Sequence, residues 1–250
     1  KNDGGGREFI EFNFLGKDSV PWQKSLEIDS DETKSLAANL KKFMQGKNPG
    51  DQIFDGINSR KVNAFLQTIM PGLTAKVFRT YIATREVQKA LSSEKVDKNS
   101  SESQKIYVAK MANLRAAITC NHKKGVDPKN PAAKKAVEKF DESIAKRKEA
   151  IEILKSEIAA KQWKTEVQEK RLKERLEKLQ TQLKLQQETR DYSLGTSLRN
   201  YIDPRVMRAW LNFVDLDWTK IYTTTLQRKF KWVEGYKERN FRTFYPEPKV

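Results

Sequence analysis

Four residues in this sequence have the types and settings that phosphate ester chemistry needs. Residues 194–205 (LGTSLRNYIDPR) set Tyr201 in a loop just ahead of a helix start, with Asp203 reading as the N-cap and Pro204 as the first helical residue. A phenol held there by rigid structure and ringed by cations suits a nucleophile aimed at a phosphate. The competing reading is a tyrosine whose ring simply packs against a neighbouring helix. Arg79 lies in a segment made apolar over much of its circumference by Leu73, Val77, Phe78, Tyr81, Ile82 and Val87, which predicts a largely buried helix. A buried guanidinium needs an anion, either an internal carboxylate or a phosphate. His122 continues the four-three-four stripe of Tyr107, Met111, Leu114 and Ile118, so it is expected to point inward, as a satisfied core histidine or as a catalytic one. Lys17 falls at the tip of a strand.

The elements that must position these residues follow from periodicity. Residues 7–15 alternate, with Ile10, Phe12 and Phe14 on one face and Glu11 and Asn13 on the other, as in one strand of a half-buried hairpin ending in the turn at residues 16–19. Helices are predicted from about residue 30 (Leu36, Leu40, Phe43), over about 62–69, over about 73–91 beyond Pro71 and Gly72, and again through Tyr107 to Ile118. Residues 131–190 are dense in Lys, Glu, Gln and Arg around a thin apolar seam. Val137, Phe140, Ile144, Ile151, Leu154 and Ile158 form one run and Leu172, Leu176, Leu179 and Leu183 another, with a polar break near residues 161–164. That pattern predicts an antiparallel helical hairpin, with one continuous intermolecular coiled-coil helix as the rival. A hairpin brings its ends together, and those ends are His122 and Tyr201. A helix from Pro204 to about Val214 and another from an Asp217 N-cap through Trp232 follow, and the aromatic and charged tail after Gly235 has no readable role. The expected fold is mainly α with a small N-terminal β-hairpin, divided as residues 1–130, 131–190 and 191–250.

Composition points to the partner. Lys and Arg number 49 against 33 Asp and Glu, a formal charge of +16, which suits nucleic acid. No run of 18 apolar residues or charged-then-apolar leader is present, so neither a membrane partner nor export is expected, and an intracellular protein is. One cysteine (Cys120) and one histidine (His122) cannot build an internal disulfide or a Cys/His zinc site, so no metal is expected. Opening at Lys1, without Met and almost at once on a strand pattern, the chain is read as part of a longer protein.

Four motifs in order carry a resemblance: FLGKDS at 14–19, GLTAKVFRTY at 72–81, Cys120-Asn121-His122, and LGTS through NYIDPR at 194–205. Together with the charged hairpin between the histidine and tyrosine segments, they resemble the eukaryotic-type DNA topoisomerase IB family over nearly the whole chain. The resemblance implies a tyrosine-recombinase-like catalytic core with an antiparallel coiled-coil linker. Tyr201 would be the nucleophile, Arg79 and His122 phosphate-binding members of the catalytic pentad, and Lys17 its hairpin lysine, with Asp18 and Asn200 in support. Lys17, Arg79, Arg199 and Arg205 would meet DNA.

The reaction so implied is attack of the Tyr201 oxygen on a phosphodiester of double-stranded DNA, giving a 3′-phosphotyrosyl enzyme and a free 5′-hydroxyl, then strand rotation and religation without ATP or any cofactor. Arg79 and His122 would stabilise charge on the non-bridging oxygens, and Lys17 would protonate the leaving 5′ oxygen. Four departures accompany the resemblance: the family's further arginine upstream of the lysine hairpin has no counterpart here, nor does its upper clamp lobe, the linker is shorter than in the best-known animal members, and the tail differs. The chain is therefore expected to be weakly active alone, a monomer associated with the chromosome, with a nuclear eukaryotic or an archaeal source equally compatible. The rivals are a tyrosine recombinase or integrase, which would lack the long charged hairpin, and a non-catalytic DNA-binding scaffold, which leaves the four motif contexts as coincidence.

Overall fold

The computed structural model describes residues 6–16, 21–124, 131–161 and 163–246, and the chain forms two compact units whose boundary in sequence falls between Val77 and Phe78. The fold is mainly helical with one two-stranded antiparallel sheet among the described residues.

In the first unit, β1 (Phe9–Leu15) pairs with β2 (Pro21–Glu27) in the register Phe14 to Trp22, Phe12 to Lys24 and Ile10 to Leu26. The expected alternation of Ile10, Phe12 and Phe14 is the face that meets Trp22, whose ring lies 5.0 Å from Phe14 and 6.1 Å from Phe12. The partner strand carries little hydrophobic signal, because Pro21 opens it and only Trp22 and Leu26 are apolar on the paired face. Lys17 and Asp18, with the rest of the turn at 17–20, lie outside the described residues. Helix α1 (Asp31–Met44) starts at a reciprocal capping box between Ser30 and Thr33, and α2 (Ser59–Ile69) at an Asn58 cap.

The second unit holds the core. Helix α3 (Ala75–Ser93) enters it with Ala83, Thr84, Val87, Gln88 and Leu91 fully or nearly fully buried. Its earlier half is open: Val77, Phe78 and Ile82 are 45%, 49% and 49% exposed, and Arg79 is exposed too. This corrects the expectation of a buried guanidinium, since the apolar circumference around Arg79 is real but uncovered among the described residues. Helix α4 (Glu102–Thr119) buries Leu114 of the expected stripe, but most of its buried face is another one. Val108, Ala109, Ala112, Ala116 and Ala117 are inside, while Ile118 is 43% exposed and Tyr107 and Met111 are half-buried. Alanines give a weak hydropathy signal but let neighbouring backbones approach closely, and this small-residue seam is what packs.

Two long helices, α5 (Pro131–Ala159) and α6 (Glu166–Glu188), pack side by side as a hairpin. Arg190 bonds Asp141 at 3.0 Å, and Gln186 hydrogen-bonds both Ser143 and Arg147. The hairpin is not a free arm, because α6 also lies along α4. Glu177 accepts a 2.7 Å bond from Ser101, Glu188 accepts from the Tyr107 hydroxyl at 3.3 Å, and the Lys184 ammonium sits 5.1 Å above the Tyr107 ring.

Helices α7 (Leu194–Asn200) and α8 (Pro204–Phe213) close the core, with Leu198, Ile202, Val206, Met207, Trp210 and Leu211 buried. The expected helix from Asp217 through Trp232 is instead broken. Asp217 caps a short 3-10 turn (Trp218–Lys220), then comes α9 (Thr224–Lys229), then a second 3-10 turn (Lys231–Val233). The break falls at residues 221–223, between the C-cap of the 3-10 turn at Ile221 and the N-cap of α9 at Thr223. The tail folds back, burying Phe241 completely.

Candidate active site

His122 owes its position to the way α4 ends. Cys120 is the C-cap, Asn121 adopts φ +54°, the Asn121 N–H bonds Ile118 at 2.9 Å and the His122 N–H bonds Ala117 at 2.8 Å. These two bonds form a Schellman reversal, and asparagine is the side chain besides glycine that best tolerates its left-handed position. His122 is therefore not a further turn of the helical stripe, as its spacing suggested. It stands beyond the helix, half-buried, and reaches inward from the reversal to the buried Ser197.

The strand-like stretch after it is tied to the segment before α7. The Ser193 N–H bonds the His122 carbonyl at 2.8 Å, Lys123 bridges Tyr192, and the Lys124 N–H bonds Asp191 at 2.8 Å. The two ends of the helical hairpin are thus stitched together, as its topology required.

Tyr201 is the C-cap of α7, its N–H bonded to the Ser197 carbonyl at 2.9 Å. From α3, the Thr84 hydroxyl donates to the Tyr201 carbonyl at 3.3 Å and accepts the Asp203 N–H at 3.0 Å. Asp203 then caps α8 through the Arg205 N–H at 2.9 Å, as the sequence indicated. The half-buried Tyr201 ring faces His122 with centroids 5.0 Å apart and planes inclined at 38°, and the Arg79 guanidinium carbon lies 5.6 Å from the same ring. Arg79, His122 and Tyr201, separated by up to 122 positions in sequence, converge on one spot. Burial pushes the neighbouring Cys120 thiol up, with the Arg79 charge pulling the other way.

Asn200 is exposed beside Tyr201, as is Arg199, whose carbonyl takes a hydrogen bond from Lys229. Arg205 pairs with the cap of its own helix. Its guanidinium forks onto Asp203 at 2.6–3.1 Å, which raises its own pKa, although its side chain stays 48% exposed.

Sequence reasoning missed three contributors. Ser197, fully buried, lies 2.7 Å from Nδ1 of His122. Its signal was a hydroxyl one helical turn before the tyrosine. Gln88 grips the tail, donating to the Arg242 and Tyr245 carbonyls at 2.8 and 2.9 Å and accepting the Tyr245 N–H at 3.0 Å. Tyr245 packs its ring against Tyr81, centroids 5.4 Å apart and planes inclined at 57°, and donates its hydroxyl to Asp203 at 2.9 Å. Burial and the Asp203 charge hold that phenol up at about 12. The unread tail therefore ties the Arg79 helix to the Tyr201 loop. Burial pushes the Asp203 carboxyl up, but bonds from the Arg205 side chain and N–H and from Tyr245 outweigh it and leave it below the usual range.

A half-buried phenol beside a guanidinium and an imidazole, on helix ends locked to one another, is an arrangement suited to holding and attacking a phosphoryl group. This chain belongs to the eukaryotic DNA topoisomerase I family: the family model for its catalytic core matches residues 5–158, and the model for the C-terminal topoisomerase domain matches residues 173–243. Among its relatives, DNA topoisomerase 1 of Drosophila melanogaster is 36% identical over 238 residues, covering 95% of this chain and 24% of the relative. Human DNA topoisomerase 1 is 33% identical across 94% of this chain and 32% of its own length. The human mitochondrial DNA topoisomerase I is 31% identical across 95% and 41%. The chain thus spans between 24% and 41% of the length of these relatives.

Proposed function

We propose that this chain carries the nucleophile of a type IB DNA topoisomerase, relaxing supercoiled DNA by transient cleavage of one strand. The observation that carries the reading is the convergence of Arg79 and His122 on Tyr201. Family membership and the charge of +16 support it.

In this reaction the Tyr201 oxygen attacks phosphorus as its proton leaves to solvent, and the bond from phosphorus to the 5′ oxygen breaks. A phenol of pKa about 10 is a weak nucleophile at neutral pH, so a nearby cation must accept its developing charge. Arg79 is so placed. In the crowded transition state the non-bridging oxygens gain charge, which a planar guanidinium and an imidazole N–H stabilise. Lys17 gives its proton to the departing 5′ oxygen, with Asp18 and Asn200 supporting the site. Religation is the same step reversed, so the energy stays in the phosphotyrosyl bond and no ATP is consumed.

The division of labour is threefold: residues 1–130, part of a recombinase-like catalytic core, supply Lys17, Arg79 and His122, residues 131–190 form a coiled-coil linker, and residues 191–250 supply Tyr201. Lys17, Arg79, Arg199 and Arg205 contact the duplex, which a single copy of the protein engages in a compartment that holds DNA. The test is relaxation of supercoiled plasmid without ATP or divalent ions, by the chain alone and by the chain joined to an upstream segment supplying the family's further arginine. Weak relaxation alone and strong relaxation when joined are expected. Relaxation that demands ATP or a divalent ion would overturn the reading.

A further inference from the structure

We infer that Ser197 sets the proton position on His122, holding the neutral ring as the Nε2–H tautomer. The inference rests on the function proposed above for its use, but not for its geometry. Ser197 Oγ and His122 Nδ1 are 2.7 Å apart, and Ser197 has no measurable exposure. A hydroxyl has one hydrogen to donate, and among the described residues the Ser197 hydroxyl has His122 Nδ1 as its one partner.

Two arrangements are open to the pair. With the ring proton on Nε2, Nδ1 accepts the serine hydrogen and both groups are satisfied. With the proton on Nδ1, the serine oxygen accepts it and the serine's own hydrogen is buried without an acceptor. Leaving a buried donor unmade is costly enough to favour the first arrangement by about tenfold to a hundredfold. The hydrogen bond on one ring nitrogen thereby decides what the other can do. An Nε2–H is a donor, the form that can serve a phosphoryl oxygen while the ring stays neutral. A ring protonated on Nδ1 would offer a lone pair at Nε2 instead.

Ser197 also joins the two halves of the site through its backbone. Its carbonyl accepts the Tyr201 N–H at 2.9 Å, so the residue that orients the imidazole anchors the phenol one helical turn later. Ser197 touches neither phosphate nor nucleophile oxygen in this account. It is a positioning residue.

The chain has a single histidine, so nitrogen NMR of the imidazole reports on His122 without assignment ambiguity and without DNA or activity. On the alkaline side of its titration, the wild-type spectrum is expected to show Nε2 as the protonated nitrogen and Nδ1 as a hydrogen-bonded acceptor. In Ser197→Ala the Nδ1 resonance should move toward that of a free acceptor and the two nitrogens toward tautomeric averaging, and Ser197→Thr, which keeps the hydroxyl, should restore the wild-type pattern. A wild-type ring protonated on Nδ1 overturns the inference outright, even if the alanine variant fails to fold. So does an alanine spectrum identical to the wild type. Failure of the proposed function would instead appear as absence of covalent DNA capture, which this measurement does not touch.

Discussion

Removing the Asp203 carboxylate should cost far more than an ordinary helix cap. In Asp203→Ala the α8 cap is lost, which alone is worth about 1 kcal/mol. The bond from Tyr245 to a carboxylate 8% exposed is lost as well, and hydrogen bonds to charged groups contribute about 1.5–3 kcal/mol. The Arg205 pair adds little, because its 48% exposed guanidinium can turn to water and surface pairs are worth at most about 1 kcal/mol. The expected loss is therefore about 3 kcal/mol in urea unfolding, whereas Asp203→Asn, which keeps a capping oxygen, should lose about half of that. In a double-mutant cycle with Tyr245→Phe the coupling should be about 2 kcal/mol. The sign with pH is fixed by the depressed carboxyl: its stabilisation is complete above the unfolded value of about 3.9 and fades as pH falls through the lower folded value, so wild type and Asp203→Ala should converge in acid. A loss of about 1 kcal/mol in Asp203→Ala and almost none in Asp203→Asn, with no coupling to Tyr245, would show that Asp203 is only a cap and that the tail does not brace the tyrosine loop.

Two further outcomes are expected. Arg79→Ala should lower the single-turnover cleavage rate by about 10²–10³, since one preorganised donor to the transition state is worth that much, and because Arg79 is exposed its thermal unfolding should barely change; normal cleavage by this variant would remove Arg79 from the site. Replacing the exposed Arg171, Arg175 and Lys178 of α6 with glutamine should make the dependence of DNA affinity on salt shallower, by about 0.9 in log–log slope for each phosphate that is no longer neutralised, and an unchanged slope would take that face of the linker off the DNA.

Local chemistry was legible in the sequence wherever a side chain acts on its own neighbours. The Asp203 and Pro204 start of α8, the alternation of Ile10, Phe12 and Phe14, and the polar break that folds residues 131–190 into two helices are all rules of short range. Burial was read less well, because it depends on what lies opposite. The apolar ring around Arg79 implied cover that the described residues do not supply, and the seam of α4 runs through alanines that hydropathy undervalues. His122 was found for a partly mistaken reason: its spacing extended the helical stripe, yet a left-handed Asn121 ends the helix first. Gln88, Tyr245 and Ser197 were invisible as partners because each acts across 42 to 157 positions of sequence, on a distant backbone or side chain. The tail showed no periodicity for the same reason, being held by individual bonds rather than by a repeating face.

The central claim is that Tyr201 is the nucleophile, and covalent capture of DNA tests it most directly. The chain, joined to the upstream segment, would be mixed with end-labelled duplex, quenched with denaturant and resolved by mass. The account predicts a DNA-linked species with the wild type and none with Tyr201→Phe, whose DNA binding should stay close to wild type because only one oxygen is removed. An adduct that persists in Tyr201→Phe would contradict it and move the nucleophile elsewhere, to Tyr192 first.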